Sequence, residues 1–98
     1  MLIRIVRMHF KEETTEKFLE IFQANKVAIR NVEGCIRLEL LKDANHPCVF
    51  TTLSHWKNAD HLENYRNSTL FKDVWGQVKP LFSAQAQAFS LEKFITVE

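Results

Sequence analysis

The chain has 98 residues, 46% of them apolar, with eight Phe and two Trp; that suffices for one packed core and excludes both a disordered chain and a second core of similar size. Thirteen Lys and Arg stand against twelve Asp and Glu, a net charge of +1, and neither sign forms a run of five, which leaves no basic footprint for nucleic acid or an anionic membrane. No stretch approaches the roughly 18 apolar residues of a membrane span, and Arg4 and Arg7 interrupt the first apolar segment where a signal peptide needs a continuous one, so a cytoplasmic protein is expected.

Leu2 to Phe10 is rich in Ile, Val, Met and Phe and reads as a strand. Lys11 to Thr15 then supplies turn and capping residues, with Glu12 and Glu13 suited to a helix N-terminus. A helix follows to about Asn31: Phe18, Phe22, Ile29 and Val32 recur at spacings of four, seven and three, Leu19 broadens the stripe, and Gly34 supplies the stop. Cys35 to Lys42 and Cys48 to Trp56 are two further strands, joined through Asp43-Ala44-Asn45-His46-Pro47 as a β-hairpin. Cys35 falls at the far end of that hairpin and Cys48 near its turn, whereas a disulfide needs Cα atoms within about 7 Å; both are expected as free, buried thiols. Asn58 can cap a helix with Asp60 in its first turn, and Leu62, Tyr65, Leu70, Phe71, Val74, Trp75 and Val78 continue the helical spacing, with a break near Asn67-Ser68 and an end at Pro80. Ala86 to Val97, with Phe89, Leu91, Phe94, Ile95 and Val97, is the fourth strand.

The order β-α-β-β-α-β is that of the ferredoxin-like split βαβ motif, an α+β fold in a single domain over 1–98. Right-handed crossovers place the first and third strands in the middle of a four-stranded antiparallel sheet, with the helices on one face. The other face is not clean enough for water: Leu2, Val6, Met8 and Phe10 oppose Ile3 and Ile5 in the first strand, and Phe89, Leu91 and Ile95 oppose Ala88 and Phe94 in the fourth. A bare apolar face of several hundred Å² marks an interface, so a second copy of the chain is expected to cover it, sheet against sheet, as a homodimer.

Gly34-Cys35 opening the second strand, Ser54-His55-Trp56 closing the third, and the run from Asn58 to Phe71 with its Ser68-Thr69-Leu70-Phe71 end together resemble the antibiotic biosynthesis monooxygenase family, in order and spacing over nearly the whole chain. The resemblance implies a dimeric α/β barrel with a pocket between helices and sheet in each subunit. It also implies an enzyme that uses O2 on a quinol, phenol-like or enolisable aromatic substrate with no metal and no other cofactor. Such chemistry needs a proton acceptor, a hydrogen-bond donor for the developing oxyanion and an apolar wall. Haem-degrading relatives carry an iron-ligating His in this helical segment, where this chain has Tyr65 and Trp75; other relatives carry His at the positions of Tyr65 and Leu70. The loss of the latter His residues motivates one alternative to the oxygenase, a non-catalytic dimer that holds a small hydrophobic metabolite; a haem-degrading enzyme, for which the ligand is missing, stands further off.

The candidate catalytic residues are His9, as a general base, and Tyr65, whose hydroxyl could hold or deprotonate a phenol. Arg7, Phe22, His55, Trp56, Phe71 and Trp75 are the candidate substrate-binding residues. Each has a plainer alternative. His9 beside Arg7 could be a half-exposed strand-end His, Trp56 and Tyr65 could simply close a core, and the stripe of Phe22, Phe71 and Trp75 is what any helix docked on a sheet needs. Gly76 inside a helical pattern suggests close packing or room for an approaching group. Arg37 and Glu39 share a strand face within reach of Arg4 or Arg7, as an ion-pair network between subunits or a site for an anion. His46 and His61 are expected in solvent, and the four His show no metal-ligand spacing.

Overall fold

The computed structural model describes residues 1–98. Strand β1 spans Leu2–His9, α1 Thr15–Arg30, β2 Cys35–Lys42, β3 Val49–Trp56, α2 Ala59–Arg66, α3 Thr69–Val78 and β4 Gln87–Glu92, with short 3-10 turns at Glu12–Thr14 and Lys79–Leu81. The four strands form one antiparallel sheet in the order β2-β3-β1-β4, which is the ferredoxin-like α+β fold.

Register decides which side chains meet. Leu2 lies opposite Trp56 and Met8 opposite Phe50 across β1 and β3, while Ile5 faces Leu53 on one side and Phe89 on the other. Because alternate residues point to opposite faces, Arg4, Val6 and Met8 of β1 look toward the helices, and Ile3, Ile5, Arg7 and His9 look away. The same alternation sends Thr52, Ser54 and Trp56 of β3 inward and Leu53 and His55 outward.

The core on the helical side comes in two parts. Met8, Phe10 and Phe50 from the sheet pack with Phe18, Ile21 and Val78, with Phe10 stacked on Phe18 at a centroid distance of 4.1 Å. Cys35, Trp56 and Leu62 form the second cluster, with Tyr65 packed against it.

Several local expectations are corrected. The fourth strand stops at Glu92 rather than Val97, because its ladder partner β1 begins at Leu2 and Leu2 is already paired with Glu92. Phe94, Ile95 and Val97 are therefore 95%, 74% and 88% exposed. At the start of α1 the Thr14 hydroxyl does not cap; it donates to the carbonyl of Leu81 at 2.8 Å and ties the 3-10 turn to the end of the helical layer. Gly34 adopts φ +87°, and a Cβ there would overlap the His61 ring lying across it. His61 is accordingly half-buried rather than solvated. Gly76 is exposed with nothing near its missing Cβ, so neither close packing nor an approaching group explains it. Both cysteines are free: Cys35 is buried, and Cys48 is only half so.

Candidate functional site

Between the two parts of the core lies a cavity of about 330 Å³, at the small end of ligand-binding pockets. Its floor is the inward face of the sheet: Arg4, Val6 and Met8 of β1, Thr52, Ser54 and Trp56 of β3. On the β4 side, Ala86 and Ala88 leave open space that a larger side chain would fill. Phe18 and Phe22 close it from α1, Tyr65 and Arg66 from α2, and Phe71, Val74 and Trp75 from α3. Of the 19 lining residues 15 are hydrophobic, and the other four are Arg4, Thr52, Ser54 and Arg66. No His, Asp, Glu or Lys faces the space.

Local sequence sets the aromatic wall. Asn58 accepts the N–H of His61 at 3.0 Å to start α2. Ser68 accepts the N–H of Phe71 at 3.1 Å to start α3, while its own hydroxyl donates to the carbonyl of Tyr65 at 2.6 Å. These two bonds fix the break between the helices and hold Tyr65 and Phe71 edge to face, 5.2 Å between centroids. Tyr65 also stacks on Trp56 at 5.1 Å, and Phe71 on Trp75 at 5.9 Å with only 12° between the rings. The result is a continuous row of rings, a geometry that favours further stacking by a flat guest. Trp56, 1% exposed, is held rigid because its indole N–H donates to Ser54 Oγ at 2.9 Å.

The polar groups are few and specialised. Burial pushes the Tyr65 hydroxyl up to about 12, with the neighbouring Cys35 adding to the effect, so at neutral pH it keeps its proton. Arg4 Nη1 donates to Ser90 Oγ at 2.9 Å, and Arg66 lies 3.2 Å from Glu63. Burial first, then the charge of Arg66, hold the Arg4 guanidinium below its ordinary value, and Glu63 opposes them.

Of the residues singled out from sequence, Phe22, Trp56, Tyr65, Phe71 and Trp75 meet in the cavity. His9, Arg7 and His55 do not. They sit at outward positions of their strands, so the sheet itself separates them from the space, and His9 cannot serve there as a base. Arg7 pairs with Asp43 at 3.6 Å, and His55 Nδ1 approaches Met1 Sδ at 3.3 Å. Arg37 pairs with Glu39 at 2.7 Å, also on the outer face, while Arg4 points the other way. Sequence reasoning missed Arg4, Arg66 and Ser54 as cavity residues. The alternation of β1 held the signal for Arg4, which shares its face with Val6 and Met8. No group of three or more His, Cys, Asp or Glu is gathered that could hold a metal ion, and no helix is long and apolar enough to cross a membrane.

Fold and cavity together define a small α+β domain with a largely apolar cavity lined by aromatic rings. The model of the antibiotic biosynthesis monooxygenase family matches residues 1–75, and the chain belongs to that family. Among solved structures, a conserved protein of Methanosarcina mazei superposes with a TM-score of 0.90 at 21% identity, covering 96% of this chain and 94% of that one. A Nitrosomonas europaea protein provisionally called an antibiotic biosynthesis monooxygenase gives 0.89 at 18% identity, over 97% and 100%. A Bacteroides thetaiotaomicron protein of unknown function, described as a possible oxidoreductase, gives 0.79 at 23%, over 92% and 97%. These likenesses concern the fold. No curated protein matches the chain.

Proposed function

We propose that the chain is a monooxygenase that works without metal or flavin on a small phenol or quinol held in this cavity. A phenol gives up four electrons to O2, one oxygen atom enters the ring to leave a quinone, and the other departs as water. The row of Trp56, Tyr65, Phe71 and Trp75 beside an otherwise apolar space is the observation that carries the reading. It supplies a flat, apolar slot for an aromatic ring, and a ring that displaces water there is shielded as an anion while O2 attacks it. Tyr65, protonated at neutral pH, supplies a donor to the substrate oxygen.

A second reading, a dimer that binds a hydrophobic metabolite without turning it over, is favoured by the absence of any His or carboxylate around the cavity. Oxygen uptake with a panel of dihydroxyarenes, including ones whose hydroxyl is acidified by a conjugated carbonyl, separates the two. Turnover that falls at least tenfold in Trp75→Ala is expected; saturable quenching of Trp fluorescence with no uptake above the buffer rate would leave only the binding role.

A homodimer through the outer sheet face belongs to the same proposal. Apolar Ile3, Ile5, Leu53, Phe89 and Leu91 share that face with Arg7, Arg37, Glu39 and Asp43. A face with both signs of charge can complement itself across a two-fold axis.

A further inference from the structure

Two arginines, half-buried Arg4 and exposed Arg66, line a cavity that has no acid among its lining residues. Arg66, from the last turn of α2, is paired with Glu63, but Arg4 makes no salt bridge: its side chain donates to the Ser90 hydroxyl, and Glu63 reaches it through its charge alone. The two guanidinium groups thus share one carboxylate, Glu63, beside an otherwise apolar space, and the charge of Arg66 disfavours that of Arg4. A half-buried cation that must share its counter-ion is costly, and a negative oxygen bound between two guanidinium groups lowers that cost while gaining charge-assisted hydrogen bonds. The same cavity lacks any group that accepts a proton near neutrality: no His or carboxylate lines it, and the Tyr65 hydroxyl holds its proton to about 12.

We infer that the cavity takes acidic phenols or enols as their anions, with the negative oxygen at Arg4 and Arg66 and the ring against Phe71 and Trp75. The inference deepens the proposed oxygenase reading and rests on the same cavity. The hydroxyl proton goes to solvent as the anion enters, so the arginine pair does the work that a base does elsewhere: it makes the ionised form the bound form. Weakly acidic phenols are then poor ligands, and the substrate carries a group that acidifies its hydroxyl, such as a conjugated carbonyl.

4-Nitrophenol tests this directly, because its anion absorbs visible light and its ionisation can be followed while bound. The bound probe is expected to ionise at least about one pH unit below the free probe, a tenfold preference for the anion. Arg4→Met and Arg4→Gln should abolish most of that shift and Arg66→Met part of it, while the affinity for uncharged 4-nitroanisole stays within about twofold of the native value and shows that the cavity is intact. A bound probe that ionises at or above its free value, a shift that survives in both Arg4 variants, or no binding of the probe would overturn the inference. Oxygen uptake reads the other claim: a protein that prefers the anion but consumes no oxygen refutes the oxygenase and upholds the anion site.

Discussion

Trp56 is the most enclosed side chain of the molecule, and its one polar atom depends on one partner. Ser54 Oγ takes the indole N–H at 2.9 Å, so Ser54→Ala leaves a buried donor unpaired and should cost about 1–3 kcal/mol in a urea unfolding experiment. Tyr65 is the sole tyrosine of the chain, which makes its titration readable by ultraviolet absorbance. In the folded chain it should ionise near 12 and in urea near 10. The raised value gives the sign: the folded state holds the proton more tightly, so this contribution to stability is whole below pH 10 and is lost as pH rises from 10 to 12. Tyr65→Phe should flatten that part of the stability profile. At this scale the aromatic residues were legible from sequence because their type suits either a core or a slot. Their presence in the cavity rather than deep in the core was not, since the helical spacing of Tyr65, Phe71 and Trp75 is the same in both cases.

At the scale of elements, the short break between α2 and α3 places the aromatic wall. Ser68 joins the end of one helix to the start of the next through its two hydrogen bonds. Ser68→Ala should lower stability by about 1 kcal/mol, as loss of a cap does, and should also weaken binding of aromatic ligands because Tyr65 and Phe71 lose their fixed angle. Ser68→Asp, which still accepts the Phe71 N–H, should recover most of the stability; calorimetry of the three proteins checks this. Breaks and ends of this kind are readable where a local hydrogen bond makes them, as Asn58 and Ser68 do. The end of β4 was not readable, since nothing in Lys93-Phe94-Ile95 opposes a strand; β1 simply offers no partner beyond Leu2.

At the scale of the whole molecule, the outer sheet face is the surface a second copy would cover. Phe89 is 51% exposed in the single subunit, so Phe89→Lys should leave the far-ultraviolet circular dichroism of the subunit unchanged while placing like charges together at a two-fold contact. Sedimentation velocity at micromolar concentration should show native protein as a dimer and the variant as a monomer. A native protein that sediments as a stable single subunit would remove the dimer.

The sequence by itself determined the α+β class, the strand order and the inventory of aromatic side chains, because periodicity, caps and turn residues act within a few positions of one another. Only the tertiary structure decided which face each strand turns to the helices. That choice put Arg4 beside the rings and sent Arg7, His9 and His55 to the far side of the sheet. A shift of one residue along a strand reverses every side chain, and the balance between two half-apolar faces is settled by packing against distant elements, which no local pattern records.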